Sequence, residues 1–346
     1  MKSITMINYN SMKQVLKSLL VSFSFLIFSG NIHGQVNKVD AIGITVKDMN
    51  RSLKFYQEVL GFKKISDNEY SGAEFEKLEG IFGLNIRVVR MQLGEEFIEL
   101  TDYLTAGGRS IPEDQKANDL SFQHIAIVVS DMDKAFQQLK KFNVEYVSTE
   151  PQTLPVTNVA AAGIKAFYFH DVDDHNLELI YFPKGKGNPK WQASSGKIFL
   201  GIDHTAIGVS STESSQKFYE DILGIERKGD SWNFGTEQEH LNNVEGASLH
   251  ITGFRAAAGP GVEFLQYLKP GPGKKYPPDT RADDIWYWQT TLFTADAEAL
   301  YNKLKNSGYT FTSKELVHTH TNGIHSKSFI VKDPDGHALL IKELVR

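Results

Sequence analysis

One strand pattern recurs four times along this chain, and that recurrence limits the fold more than any other feature. The copies begin at Val39-Asp-Ala-Ile-Gly-Ile-Thr-Val46, Phe122-Gln-His-Ile-Ala-Ile-Val-Val129, Ile202-Asp-His-Thr-Ala-Ile-Gly-Val209 and Tyr287-Trp-Gln-Thr-Thr-Leu-Phe293. Aligned, they place Ala41, His124, His204 and Gln289 at one position. Three copies also close with a strand that sets a carboxylate among apolar residues, at Glu99, Glu178 and Glu263. Two histidines and matching carboxylates at repeated strand positions point to a metal site assembled by an internal repeat.

The repeat has two levels. Ser52-Leu-Lys-Phe-Tyr-Gln-Glu-Val-Leu-Gly-Phe62 matches Ser215-Gln-Lys-Phe-Tyr-Glu-Asp-Ile-Leu-Gly-Ile225, and His170-Asp-Val-Asp-Asp-His175 matches Lys332-Asp-Pro-Asp-Gly-His337. A repeat this long means duplicated domains, not a solenoid of short units. The halves are residues 35–183 and 199–346, joined at 184–198 by a Pro-, Gly-, Ser- and Lys-rich stretch that reads as a linker. Each half divides again. A unit opens with an alternating strand, for example Ile125, Ile127 and Val129 on one face and His124, Ala126 and Val128 on the other. An amphipathic helix follows, as over Met132 to Phe142 with Ala135, Phe136 and Leu139 at helical spacing. Gly61 and Gly224 stand where such helices should stop. More strands complete the unit. The expected class is α+β, with four units of strand, helix and then two or three further strands.

Composition narrows the partners. A net charge of −5 over 346 residues argues against a nucleic-acid surface, where a basic face is needed. With no cysteine, disulfides, thiolate ligands and a thiol nucleophile are excluded. Lys13 and Lys17 precede the apolar run Leu19 to Phe28, and small residues follow before Gln35. Residues 1–34 therefore read as a cleaved secretory signal. The expectation is an exported protein, periplasmic or extracellular, with no membrane anchor, acting on a small molecule as a monomer or homodimer.

The motifs Gly43-Ile-Thr-Val-Lys-Asp48, Phe55-Tyr56 with Leu60-Gly61, Gln123-His-Ile-Ala-Ile-Val-Val129, Asp203-His-Thr-Ala-Ile207 and Asp333-Pro-Asp-Gly-His337 resemble those of the vicinal oxygen chelate superfamily. That superfamily includes glyoxalases, extradiol dioxygenases and bleomycin- and fosfomycin-resistance proteins. The resemblance implies two tandem modules whose four βαβββ units curl in pairs into two open barrels. It also implies a metal held by one residue from each first strand and one from each last strand. Carried over by position, the units offer Ala41 and Glu99, His124 and Glu178, His204 and Glu263, and Gln289 and Leu340. If each half closes on itself, both sites are incomplete. If the middle units pair, His124, Glu178, His204 and Glu263 form one complete set, and every departure falls in the other barrel. The crossed pairing is the preferred one.

A lone strand histidine is more often core than ligand, but two at one repeat position are not lone. An ionised carboxylate among apolar residues needs a partner, and a divalent cation is a natural one. His318, His320 and His325 read as solvated edge residues, and His175 and His337 as packing or capping groups after acidic turns. Trp286, Trp288, Tyr168 and Tyr267 read as core aromatics, with cavity lining as the alternative, and Asn242-Asn243 and Pro277-Pro278 as loops. Two imidazoles and two carboxylates suit one divalent ion such as Fe, Co, Ni, Zn or Mn. With Glu178 or Glu263 as general base, the expected chemistry is isomerisation, epimerisation or lyase cleavage of a substrate with neighbouring oxygens. The alternatives are an Fe(II) extradiol-type dioxygenase and a non-catalytic barrel that sequesters a small ligand.

Overall fold

The four first strands form because β-branched and apolar residues alternate with smaller or polar ones, and the helices that follow start at repeated caps. Asp48, Asp131, Ser211 and Asp296 each accept backbone N–H groups from the first turn of the helix they precede. The computed structural model describes residues 35–346 apart from 106, 194, 195, 322 and 346. The expected signal segment lies outside the described residues. No helix among the described residues is long and apolar enough to cross a membrane.

Unit one supplies β1 (Val36–Val46), β2 (Lys63–Ser71), β3 (Asn85–Leu93) and β4 (Glu96–Tyr103). Unit two supplies β5 (Phe122–Val129), β6 (Gln152–Thr153), β7 (Lys165–His170) and β8 (Asn176–Tyr181). Unit three supplies β9 (Phe199–Gly208), β10 (Glu226–Phe234), β11 (Ser248–Arg255) and β12 (Gly261–Lys269). Unit four supplies β13 (Trp288–Thr294), β14 (Val317–Thr321), β15 (Ile324–Lys332) and β16 (Ala338–Val345). In units one and three the first helix widens into π turns at Phe55–Val59 and Lys217–Ile222. It then stops at Gly61 and Gly224, whose φ angles of 76° and 77° suit a residue without Cβ.

Two eight-stranded sheets result, and the pairing is crossed. One runs β14-β15-β16-β13-β1-β4-β3-β2 and joins units four and one; the other runs β10-β11-β12-β9-β5-β8-β7-β6 and joins units three and two. The seams are antiparallel, β1 on β13 and β5 on β9, whereas each first strand lies parallel to its own unit's last strand. Neither half closes on itself.

Between the sheets the helices bury one shared core drawn from all four units, including Ile44, Leu139, Phe169, Phe218, Phe264 and Phe329. Leu139 is fully buried there. Leu139→Ala should therefore cost about 2–5 kcal/mol, through lost transfer energy and an unfilled cavity. Urea unfolding should show a lower midpoint at an unchanged slope.

Two acidic turns fasten the crossed units. Asp171 accepts from the Tyr56 hydroxyl at 2.9 Å, from the backbone of Asp173 and His175, and from His175 Nδ1 at 3.0 Å. His175 Nε2 donates to the Ile285 carbonyl at 2.6 Å, so the turn of unit two grips the entry to unit four. Burial opposes the His175 charge, but Asp171 outweighs it and raises the imidazole pKa. Asp333 repeats the arrangement with Tyr219 and His337. His175 and His337 are thus buried pairing groups. The segment read as a linker is also packed: its Trp191 is buried and donates to Asp203 at 2.7 Å. Asn242 is not in a loop but ends the helix Thr236–Asn242, with Asn243 left-handed at φ 54°.

Candidate metal centre

The inner seam sets the site residues in two rows across β5, β9 and their parallel neighbours. His124 stands opposite Ala206, which is level with Glu263; His204 stands opposite Ala126, which is level with Glu178. Strand alternation turns all of these side chains to the barrel interior. Ala126 and Ala206, both fully buried, leave room between the longer groups.

All four sequence-predicted residues therefore line one pocket of about 630 Å³. Glu178 Oε2 lies 3.1 Å from His124 Nε2 and 3.6 Å from His204 Nε2, and Glu263 Oε2 lies 3.4 Å from His204 Nε2. Ligand atoms of His124, Glu178 and His204 all fall within 4.8 Å of one another, a group that could hold a metal ion. These three side chains are buried, whereas the Glu263 side chain is 31% exposed toward the pocket. Despite the short approach, Glu178 Oε2 accepts no properly directed hydrogen bond, and His124 Nδ1 has no partner. Buried polar atoms rarely stay unsatisfied. A cation among these atoms would satisfy the Glu178 oxygen, so the donor set fits a mid-row divalent ion.

The local field favours positive charge. Burial alone would lower the His204 pKa, but Glu263, Asp203 and Glu178 push it up to about 9. Asp203 is the residue that sequence reasoning missed. It occupies a register shift where β9 meets β5, between the pairs Ala126 with His204 and Ile127 with Ile202. Such a bulge re-aims a side chain that alternation would send elsewhere. Asp203 Oδ2 holds His204 Nδ1 at 3.0 Å and is itself held by Arg255 at 2.6 Å. Burial opposes its charge, but His204, Arg255 and Trp191 hold its carboxyl well below the usual range. The acceptor at Nδ1 leaves Nε2 aimed at Glu178 and Glu263. The adjacency of Asp203 to His204 was visible in the sequence, but the bulge was not. Asp203→Asn should weaken divalent-ion affinity about 10- to 100-fold, as losing such supporting partners does, in a competition titration against a chelating dye.

The outer seam carries the equivalent positions in the same registers, Ala41 beside Thr291 and Gln289 beside Gly43, with Glu99 and Leu340 level with them. Ala41 and Leu340 have no donor atom. Glu99 is neutralised by Arg90 at 2.7 Å, which also pairs with Asp40. Gln289 accepts from the Tyr287 hydroxyl. These four make no metal set. His318, His320 and His325 lie exposed on the β14–β15 hairpin, where the rings of His320 and His325 stack. Tyr168 and Tyr267 are buried as expected of core aromatics, yet Tyr168 packs against the His124 ring in the pocket wall and Tyr267 is hydrogen-bonded to Asn242.

Known proteins resemble this chain in sequence and in fold. A model of the Glyoxalase/Bleomycin resistance protein/Dioxygenase superfamily matches residues 38–179 and 201–341. The chain is 25% identical over 199 residues to glyoxalase I of Saccharomyces cerevisiae, covering 53% of this chain and 55% of that one. It is 28% identical over 194 residues to lactoylglutathione lyase of Schizosaccharomyces pombe, covering 54% and 59%. The chain thus spans about half the length of these curated relatives. Among solved structures, glyoxalase I from Zea mays superposes with a TM-score of 0.57 at 18% identity, over 89% of this chain and 92% of that one, a likeness of fold.

Proposed function

The chain belongs to the glyoxalase/bleomycin resistance protein/dioxygenase superfamily, and from that premise we propose that it is a metal-dependent enzyme of the isomerase, epimerase or lyase type. Its substrate would be a small molecule with neighbouring oxygens, such as a hydroxy-ketone. The carrying observation is the convergence of His124, Glu178 and His204, with Glu263 beside them, on one pocket. These four would hold a divalent ion, which when bound supplies Lewis acidity that lowers the pKa of a C–H next to a substrate carbonyl.

The protein's own groups then move the proton. Glu263 is the more accessible carboxylate, on the pocket wall and in reach of substrate, so it takes the proton from carbon and returns it to the neighbouring carbon or oxygen. Glu178 is enclosed beside both imidazoles and keeps the site together. Tyr168, Ile251 and Leu265 form apolar wall that limits water at the reacting carbon.

One observation favours a second reading. The tightest cluster is two histidines and one glutamate, the donor set of non-haem Fe(II) oxygenases. Both readings are tested by loading purified protein with Fe, Co, Ni, Zn or Mn and assaying α-hydroxycarbonyls and catechols while recording oxygen. Turnover without oxygen uptake supports the isomerase or lyase reading. Ring cleavage with stoichiometric uptake by the Fe form replaces it with the oxygenase. Tight ligand binding with no turnover and no metal would leave a sequestering barrel. Export is part of the same proposal, supported by the apolar run Leu19 to Phe28 after Lys13 and Lys17; recovery of uncleaved protein from the cytoplasm would contradict it.

A further inference from the structure

The outer barrel lost its metal ligands but not its interior. Units one and four form a part-open pocket of about 140 Å³, lined by Glu79, Tyr103, Tyr287 and Gln289. The Tyr70 and Phe75 rings, stacked at 5.0 Å, also line it. A cavity near this volume admits a molecule about the size of benzene.

Glu79 sets the character of this space. It ends the helix Ala73–Glu79 and is 8% exposed. The Tyr103 hydroxyl donates to it at 3.4 Å, and Gln289 also bonds to it. Burial dominates these two contacts and raises its carboxyl pKa to about 7. No ion pair to Glu79 forms among the described residues. Lys342 and Glu99 line the cavity too, but Glu99 is neutralised by Arg90 and neither group perturbs the Glu79 carboxyl.

The inner barrel shows what is unusual. Its matching helix, Thr236–Asn242, ends in Asn242 just before a left-handed residue, as Glu79 precedes left-handed Gly80. Asn242 Nδ2 donates to the Tyr267 hydroxyl at 2.7 Å, and Tyr267 matches Tyr103 in the repeat. Where one barrel keeps a neutral amide satisfied from within, the other keeps an acid with no counter-charge. An ionised carboxylate in such a place is costly until a cation joins it, and aromatic faces attract cations as well.

We propose that the outer barrel is a second ligand site, separate from the metal centre, that binds a small organic ammonium ion against Glu79 within walls formed by Tyr70, Phe75, Tyr103 and Tyr287. The ligand is a primary amine of about six non-hydrogen atoms or fewer, given the cavity size. Its N–H groups meet the Glu79 oxygens, and its alkyl part fills the aromatic and aliphatic remainder. Because the carboxylate form binds, affinity rises as pH climbs through the Glu79 pKa.

The test is calorimetric titration of the full chain with n-propylammonium chloride, beside n-propanol as the uncharged control. Saturable one-to-one binding is expected at pH 8, about tenfold weaker at pH 6 from the Glu79 linkage, with none for propanol. Glu79→Gln should abolish it, whereas His204→Ala should leave it intact, so failure of the metal reading is distinguishable from failure of this one. Absence of saturable binding, equal binding by Glu79→Gln, or loss in His204→Ala would each overturn the proposal. If Glu79→Gln does not fold, the pH dependence of the parent protein decides: affinity that is flat or falls between pH 6 and 8 rejects it.

Discussion

His204→Ala should purify without stoichiometric divalent ion and should lose at least about 10³-fold in kcat/KM, equivalent to roughly 4 kcal/mol of transition-state stabilisation. The size follows from the position. His204 is buried, with Glu178 and Glu263 at its Nε2 and Asp203 at its Nδ1. Removing the imidazole deletes a ligand and leaves three carboxylates facing a gap, which disfavours rebuilding the site from the remainder. Elemental analysis of parent and variant, reconstituted side by side, gives the metal result, and initial rates on the best substrate give the kinetic one. The parent should hold about one ion per chain, since the outer barrel has only Glu99 and Gln289 as donors at the matching positions. Glu99→Gln should change neither metal content nor rate. A His204→Ala protein with full metal occupancy and a loss under tenfold would defeat the metal-centre reading.

The second large effect concerns the joint between halves. Asp171→Ala should destabilise the fold by about 3–5 kcal/mol, the range for breaking one member of a buried ion pair. Asp171 is the common acceptor for the Tyr56 hydroxyl, two backbone N–H groups and the His175 ring. Its loss strands all of them and leaves a buried imidazolium, itself tied to Ile285 of another unit. The pH dependence carries a sign. Burial would raise the Asp171 pKa, but His175 and the backbone donors depress it. That contribution is present above the ordinary carboxylate value, about 4, and is lost as acid passes the lowered one. His175 is raised, so its contribution is full below about 6.5 and is lost as pH climbs through the higher folded value. The pair should therefore matter most between these limits, and Asp171→Ala should flatten the profile. Urea unfolding of both proteins across pH 4 to 9 measures this. A cost below about 1 kcal/mol would show the turn to be incidental.

Much of the architecture was legible in the chain because it is local. The first strands follow from two-residue alternation, the helix of unit two from the spacing of Ala135, Phe136 and Leu139, and the helix stops from Gly61 and Gly224. His124, Glu178, His204 and Glu263 stood out because a repeat supplies its own comparison: Ala41, Gln289 and Leu340 mark the same positions without ligands. That asymmetry also favoured the crossed pairing that the sheets display. Other features depended on contacts far apart in sequence. The antiparallel seams between β5 and β9 and between β1 and β13 sort the units into one barrel with a ligand set and one without. A register shift turns Asp203 beside His204, against the alternation that a linear reading assumes. A segment with linker composition packs Trp191 under the site, and Glu79 and Asn242 enter their barrels from helices between strands. Strand periodicity and capping act over a few residues, so the sequence alone determined the units and their candidate ligands. Pairing, bulge and cavity are set by which surfaces of different units meet, far apart along the chain, and only the tertiary structure decided them.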